Sequence, residues 1–315
     1  MDFVLVVLGI ALLYLGGERL VDNASALARS FGLSPYVVGL TVVAFGTSTP
    51  ELAATLSSSL AGTADMALGN VVGSNIANIG LILGLTAVIY PLASRRSTVT
   101  RELPLMLAVS LLLWPVVQGG ISRAEGALLF GLLVAYVLWQ LRQGRGPQEE
   151  AGATPSAALP EPANDAPAVP RGRALIGAAL GVALLVAGAQ ALVTGATAIA
   201  QGFGISERVI GLTMLALGTS LPELASSLIA AARRETDMIL GGIIGSNVFN
   251  ILAILGLTAL VRPLPVDVAA AQSDIAVMLI FSAALLALMW RHARLGKLGG
   301  ALLMAGYAAY IWTLF

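Results

Sequence analysis

The chain has 315 residues, 57% of them hydrophobic and only 11% charged, with no cysteine and with 17 basic side chains balanced by 17 acidic ones. Together with a strongly positive mean hydropathy, that composition excludes an ordinary soluble domain. Zero net charge names no acidic or basic partner, nucleic acid included, and the absence of cysteine excludes disulfides, thiol catalysis and zinc–thiolate sites.

The predicted elements are about ten membrane-spanning helices, each with about twenty apolar residues, enough at roughly 1.5 Å per residue to cross a hydrocarbon core of about 30 Å. They centre on residues 3–27, 35–60, 67–93, 103–119, 123–141, 174–200, 207–232, 238–261, 272–290 and 297–314. A membrane β-barrel is excluded, because its strands alternate over about ten residues and these runs are continuous. The first run follows Met1–Asp2 directly, without the basic stretch of a cleavable leader, and reads as a span. The second contains "GTSTPEL" at Gly46–Leu52, which sets Glu51 one residue after Pro50 in the middle of apolar sequence. The third carries "GSNIAN", and the fourth and fifth are plain apolar runs. Between the fifth and sixth lies a stretch rich in Pro, Ala and Glu that cannot bury enough apolar surface to order itself, read as a linker at 143–172. It separates a first five-helix repeat, 1–142, from a second, 173–315.

The halves repeat. A shift of 172 residues, the distance from Glu51 to Glu223, lays "TVVAFGTSTPELAATL" on "TMLALGTSLPELASSL" and "ADMALGNVVGSNIANIGLILGLTA" on "TDMILGGIIGSNVFNILAILGLTA" without a gap. Five spans per half is an odd number, so the second copy enters the bilayer from the opposite side. Charge placement agrees. With the N-terminus outside, the cytoplasmic loops hold Arg29, Arg95, Arg96, Arg101, Arg142, Arg145, Arg171, Arg173, Arg233, Arg234, Arg291, Arg294 and Lys297, and the opposite loops only Arg123, Arg208 and Arg262. The positive-inside rule then puts both termini outside. The expected fold is all-α, two inverted-topology repeats with broken helices 2 and 7 meeting at the midplane.

The broken helices point to cation chemistry. Pro50 and Pro222 have no N–H to give the carbonyls of Gly46 and Gly218, and carbonyl oxygens freed inside a membrane need partners. Thr47, Ser48 and Glu51 stand at helical spacing, as do Thr219, Ser220 and Glu223; Ser74 with Asn78 and Ser246 with Asn250 add hydroxyl and amide oxygens. Every donor is oxygen, the chemistry of Ca²⁺ and Na⁺. Two glutamates balance one Ca²⁺ or two Na⁺, and exclusive occupancy of one cluster by either load is a basis for exchange.

At these residues the sequence closely resembles the sodium/calcium exchangers of the cation/calcium antiporter superfamily, in particular the prokaryotic type. Two copies of G-T-S-x-P-E-L, each followed at the same interval by G-S-N-x-x-N, carry the resemblance over nearly the whole chain. It implies a Ca²⁺/Na⁺ antiporter in a prokaryotic cytoplasmic membrane, not an enzyme, with transported ions in place of any cofactor and no obligate protein partner. It further implies that Glu51, Glu223, Thr47 and Thr219 coordinate calcium. Ser48, Ser220, Ser74 and Ser246, with the backbone oxygens of Ala44 and Ala216, would complete flanking sodium sites, and Asn78 and Asn250 would line the middle. The proton-coupled branch typically has an Asn-containing motif in place of G-T-S, which favours sodium. Two departures stand out: some relatives carry Asp where this chain has Asn250, and Gly242 replaces the Asn70 of the first copy.

Alternatives are proton-coupled or K⁺-dependent Ca²⁺ exchange, a passive cation channel, and, weakly, an intramembrane hydrolase. Asp65 and Asp237 are expected to cap helices. Glu18 with Arg19, and Asp22, have no matching charges at Gln190, Ala191 and Thr194 in the second copy and read as a local ion pair or water-exposed groups.

Overall fold

Backbone groups inside hydrocarbon find no water and must bond to one another, which drives the apolar runs into helices. The computed structural model describes residues 2–143, 169–203 and 218–314. The predicted linker therefore lies mostly outside the described residues, as do Ala216 and the first part of the span predicted at 207–232.

In chain order the helices are α1 (Asp2–Phe31), α2 (Pro35–Thr47), α3 (Thr49–Ala61), α4 (Ala64–Ile89), α5 (Thr98–Gly119), α6 (Arg123–Arg142), α7 (Arg171–Gly202), α8 (Leu221–Ala232), α9 (Thr236–Val261), α10 (Val268–Trp290) and α11 (Lys297–Thr313). Among the described residues seven are long and apolar enough to cross a membrane, and the bent pair α2–α3 makes an eighth. Helix α11, at 17 residues, is at the short limit for a span. The fold is that of an all-helical integral membrane protein.

Reciprocal contacts relate the halves as a two-fold axis would. Helices α1 and α7 run antiparallel in backbone contact: a Cβ on Gly9 would lie 2.6 Å from the Leu192 nitrogen and 2.8 Å from the Gly188 oxygen, and one on Gly16 2.7 Å from the Leu185 nitrogen. Gly181 and Gly188 are the repeat mates of Gly9 and Gly16, so the same small residues meet from both sides. Two short ladders tie the copies at the helix ends, Leu92 and Ala93 (β1) pairing with Leu295 and Arg294 (β2), and Ile121 bridging to Leu264. Even the end of the broken helix repeats: Gly62 and its mate Arg234 both take positive φ, at 88° and 61°.

The long helices that follow each acid are not uniform. Helices α4 and α9 each contain one π-helical segment, Asn78–Leu83 and Asn250–Leu255, which begins at the second asparagine of G-S-N-x-x-N. Such insertions recur at functional sites because they displace a turn of backbone. Helix α9 is wholly buried along its apolar core, while α1 and α7 leave one side open.

Candidate functional site

The break between α2 and α3 opens a 44° bend after Thr47. Ser48 sits at the bend with φ −80° and ψ 7°, and Ser220 takes the matching φ −89° and ψ 3°, the sparsely populated bridge conformation between helix and strand. Pro50 and Pro222 each fall in the first turn of the helix that follows, where a missing N–H costs nothing. This corrects one sequence expectation. Thr47 and Glu51 do not share the face of one continuous helix; they stand on either side of the bend, and the bend is what brings both to the site.

The two acids are 1% and 3% exposed, for Glu51 and Glu223. Each is held by the serine of the other half: Ser220 Oγ donates to Glu51 Oε1 at 3.3 Å and Ser48 Oγ to Glu223 Oε1 at 3.1 Å. Thr47 Oγ1 donates back to the carbonyl of Val43 at 3.1 Å, which leaves its oxygen lone pairs facing the cleft it lines with Glu223 and Ser246. The carbonyl of Ala44 accepts from Ser48 N–H at 3.0 Å and, more distantly, from Thr47 Oγ1 at 3.5 Å. Ser74 and Ser246 are buried at 3% and 0%.

Four asparagines join the halves at the centre, all 1% exposed. Asn250 Nδ2 donates to Asn75 Oδ1 at 2.9 Å and Asn78 Nδ2 to Asn247 Oδ1 at 3.3 Å. Asn75 and Asn247, the third residue of each G-S-N, were not among the sequence-predicted site residues. Their position three before Asn78 and Asn250 was visible in the motif, but spacing alone does not tell which amide faces a cluster and which braces it.

Among the described residues, six buried oxygens here have no hydrogen-bond partner: Glu51 Oε2, Glu223 Oε2, Thr219 Oγ1, Ser246 Oγ, Asn78 Oδ1 and Asn250 Oδ1. A buried polar atom left unpaired costs about 1–3 kcal/mol, more when charged, so six on the two broken and two π-kinked helices call for a ligand. The set is all oxygen and contains two carboxylates, the donor set of a hard cation. A narrow cleft leads from Thr47, Glu223 and Ser246 past Ser226 to Val21 of α1 and Met238. Helix α7 crosses both breaks, with Val182 against Gly46 and Val193 against Gly218.

Other polar side chains have other partners. Asn70 turns its amide nitrogen to Thr55 Oγ1 (2.9 Å) and the Glu51 carbonyl (3.3 Å), bracing α3 instead of offering oxygen. Asp65 and Asp237 occupy first turns but not caps: Asp65 Oδ1 accepts from Asp267 N–H at 2.8 Å, and Asp237 pairs with Arg95 at 3.2 Å. Glu18 and Asp22 both pair with Arg233, the residue that ends α8. Glu102 is buried away from the site, accepting from Gln140 Nε2 at 2.6 Å.

Two oppositely oriented copies, each delivering a broken acidic helix and a π-kinked asparagine helix to one shared centre, define a duplicated helical membrane protein with a buried oxygen cluster. The chain belongs to the sodium/calcium exchanger protein family, whose model matches residues 1–142 and 173–315. It is 42% identical to CaxA of Alkalimonas amylolytica, over 99% of this chain and 98% of that protein. It is 39% identical to the inner membrane protein YrbG of Escherichia coli K12 (99% and 96% covered) and 32% identical to the sodium/calcium exchanger MaX1 of Methanosarcina acetivorans (100% and 98% covered). The solved structure of the sodium-calcium exchanger NCX_Mj soaked with Na⁺ and Sr²⁺ superposes with a TM-score of 0.85 at 32% identity, covering 100% of this chain and 98% of that one.

Proposed function

We propose that the protein is a secondary antiporter that exchanges Ca²⁺ for Na⁺ by alternating access at the carboxylate cluster. The observation that carries this reading is the set of six unpaired buried oxygens, drawn from both halves and including both glutamates. Glu51, Glu223, Thr47 and Thr219 hold Ca²⁺ in this scheme. Ser48, Ser220, Ser74 and Ser246, with the backbone oxygens of Ala44 and Ala216, hold Na⁺, and Asn78 and Asn250 line the middle. Two carboxylates neutralise one Ca²⁺ or two Na⁺, so each load occupies the cluster to the exclusion of the other, and the bare dianion is too costly to carry across.

The structures of NCX_Mj, described in terms of extracellular ion exchange and induced binding-site occlusion, support the same type of cycle here. The halves 1–142 and 173–315 form the two repeats, joined by a cytoplasmic linker at 143–172, with both termini outside a prokaryotic inner membrane. Helices α1 and α7, which cover the breaks and the cleft, slide as gates.

The test is ⁴⁵Ca²⁺ uptake into liposomes holding the purified protein, with internal Na⁺ replaced in turn by K⁺, choline or a proton gradient. Uptake that requires internal Na⁺ is the expected result. Uptake indifferent to Na⁺ removes the coupling, and dependence on K⁺ or protons replaces the counter-ion.

A further inference from the structure

We infer that Asn75 and Asn247 are positioning residues that fix the polarity of the central amides, so that Asn78 and Asn250 turn oxygen, not nitrogen, toward the ion; this rests on the exchange reading above. The oxygen and nitrogen ends of an amide are nearly the same in shape, and only the bonding network decides which way each points. Here the network can be followed from atoms that have no choice.

Asn75 touches two groups that can only accept, the backbone carbonyl of Asn247 at 3.2 Å and the thioether sulfur of Met278 at 3.5 Å. Its amide nitrogen must face them. That turns Asn75 Oδ1 to Asn250, which answers with Nδ2 at 2.9 Å and is left with Oδ1 buried and unpaired. The other arm runs the same way. The sulfur of Met106 accepts from Asn247 Nδ2 at 3.5 Å, Asn247 Oδ1 accepts from Asn78 Nδ2 at 3.3 Å, and Asn78 Oδ1 is the atom left over.

Met106 and Met278 are themselves repeat mates, one on α5 and one on α10. Neither they nor Asn75 and Asn247 provide any of the six unpaired oxygens. Their effect is indirect: a reversed amide would aim two N–H groups at a cation in a medium of low dielectric, converting an attraction into a repulsion. The arms are unequal. The Asn75 arm starts from a carbonyl and a sulfur, the Asn247 arm from a sulfur alone, so Asn250 is held more firmly than Asn78.

The experiment compares Asn75→Leu in two backgrounds, the native protein and the Asn250→Asp variant. The two carboxylate oxygens of Asp are equivalent and need no orienting. In the native background Asn75→Leu is expected to raise the Ca²⁺ KM of liposome uptake about tenfold, with the maximal rate changed less than about threefold, as loss of a binding interaction requires. In the Asn250→Asp background the same substitution leaves KM where it was. An equal rise in both backgrounds, or none in the native one, overturns the inference.

The melting temperature without Ca²⁺ reports whether each variant folds. Should Asn75→Leu fail to fold, Met278→Leu replaces it, with a smaller rise in KM expected in the native background only. The rise in melting temperature with added Ca²⁺ reads binding without transport. A native protein that binds Ca²⁺ but does not exchange it defeats the exchange reading and still tests the orientation. One that shows no Ca²⁺ response at all overturns both.

Discussion

The same acid stands at the same break in both halves, yet the helix that leaves the break is lined differently. In α3 the buried residues are Glu51, Thr55 and Ser59, a hydroxyl ladder two turns long, with Asn70 bonded across it. In α8 the polar lining stops after Ser226 and Ser227, Ala230 and Ala231 continue the buried face, and Gly242 takes the place of Asn70. The cleft is lined mainly by this second, barer side. Duplication has kept what the centre needs and let the two approaches to it diverge. On the exchange reading proposed above, the ion route is specified atom by atom where it binds and only loosely where it is approached.

If that division is right, substitutions at matched positions have matched effects and those at unmatched positions do not. The strongest test is Glu51→Gln against Glu223→Gln. Each removes one of the two charges that balance Ca²⁺ in the proposed scheme, and each is expected to lower Na⁺-dependent Ca²⁺ uptake by about 100-fold or more, about 3 kcal/mol, with the protein still folded. A large inequality between the two would break the symmetry of the centre.

Next come Ser48→Ala and Ser220→Ala, which delete the crossed bonds to Glu223 and Glu51. A hydrogen bond to a carboxylate contributes about 1.5–3 kcal/mol, so both variants should weaken apparent ion affinity by about tenfold or more, and by similar factors, in titrations of uptake against Na⁺ and Ca²⁺.

Away from the centre the halves should part. Asn70→Gly gives the first half the residue of the second and loses two bonds to α3. It should lower stability by about 1–2 kcal/mol, read as a fall of a few degrees in melting temperature. Gly242→Asn has room at its Cβ, whose nearest neighbour would be Val43 at 3.8 Å, and should leave the melting temperature nearly unchanged while its side chain narrows the cleft and slows transport. Smallest of all is Arg233→Ala. It frees Glu18 and Asp22, but these groups are about a third to a half exposed, and water and salt screen such pairs to about 0.5 kcal/mol. The matching position, Ala61, has no charge to lose.

Much of this was legible in the sequence because membrane helices obey a strong rule. Continuous apolar length marked an all-helical membrane protein, the 172-residue shift showed the repeat, and acids beside prolines in apolar runs singled out Glu51 and Glu223, which the structure buries. Three things were not legible. The break beside each proline was expected, but its geometry at Ser48 and Ser220 is a tertiary fact, and helical spacing wrongly put Thr47 and Glu51 on one continuous face. The roles of Asp65 and Asp237 depend on Asp267 and Arg95, which are remote in sequence, so a local capping rule misassigned them. The bracing by Asn75 and Asn247 depends on which end of each amide meets which partner across the molecule, and no period or motif encodes that.

The crossed pattern of serine-to-glutamate and asparagine-to-asparagine bonds also bears on how such a molecule arose. The central serines and asparagines of each half bond to groups of the other, as in the interface of an isologous homodimer. An ancestral single copy that inserted in both orientations would already have made these bonds with its twin. On that account, joining two genes would fix a partnership the chemistry had established and free the two surfaces around it to evolve separately.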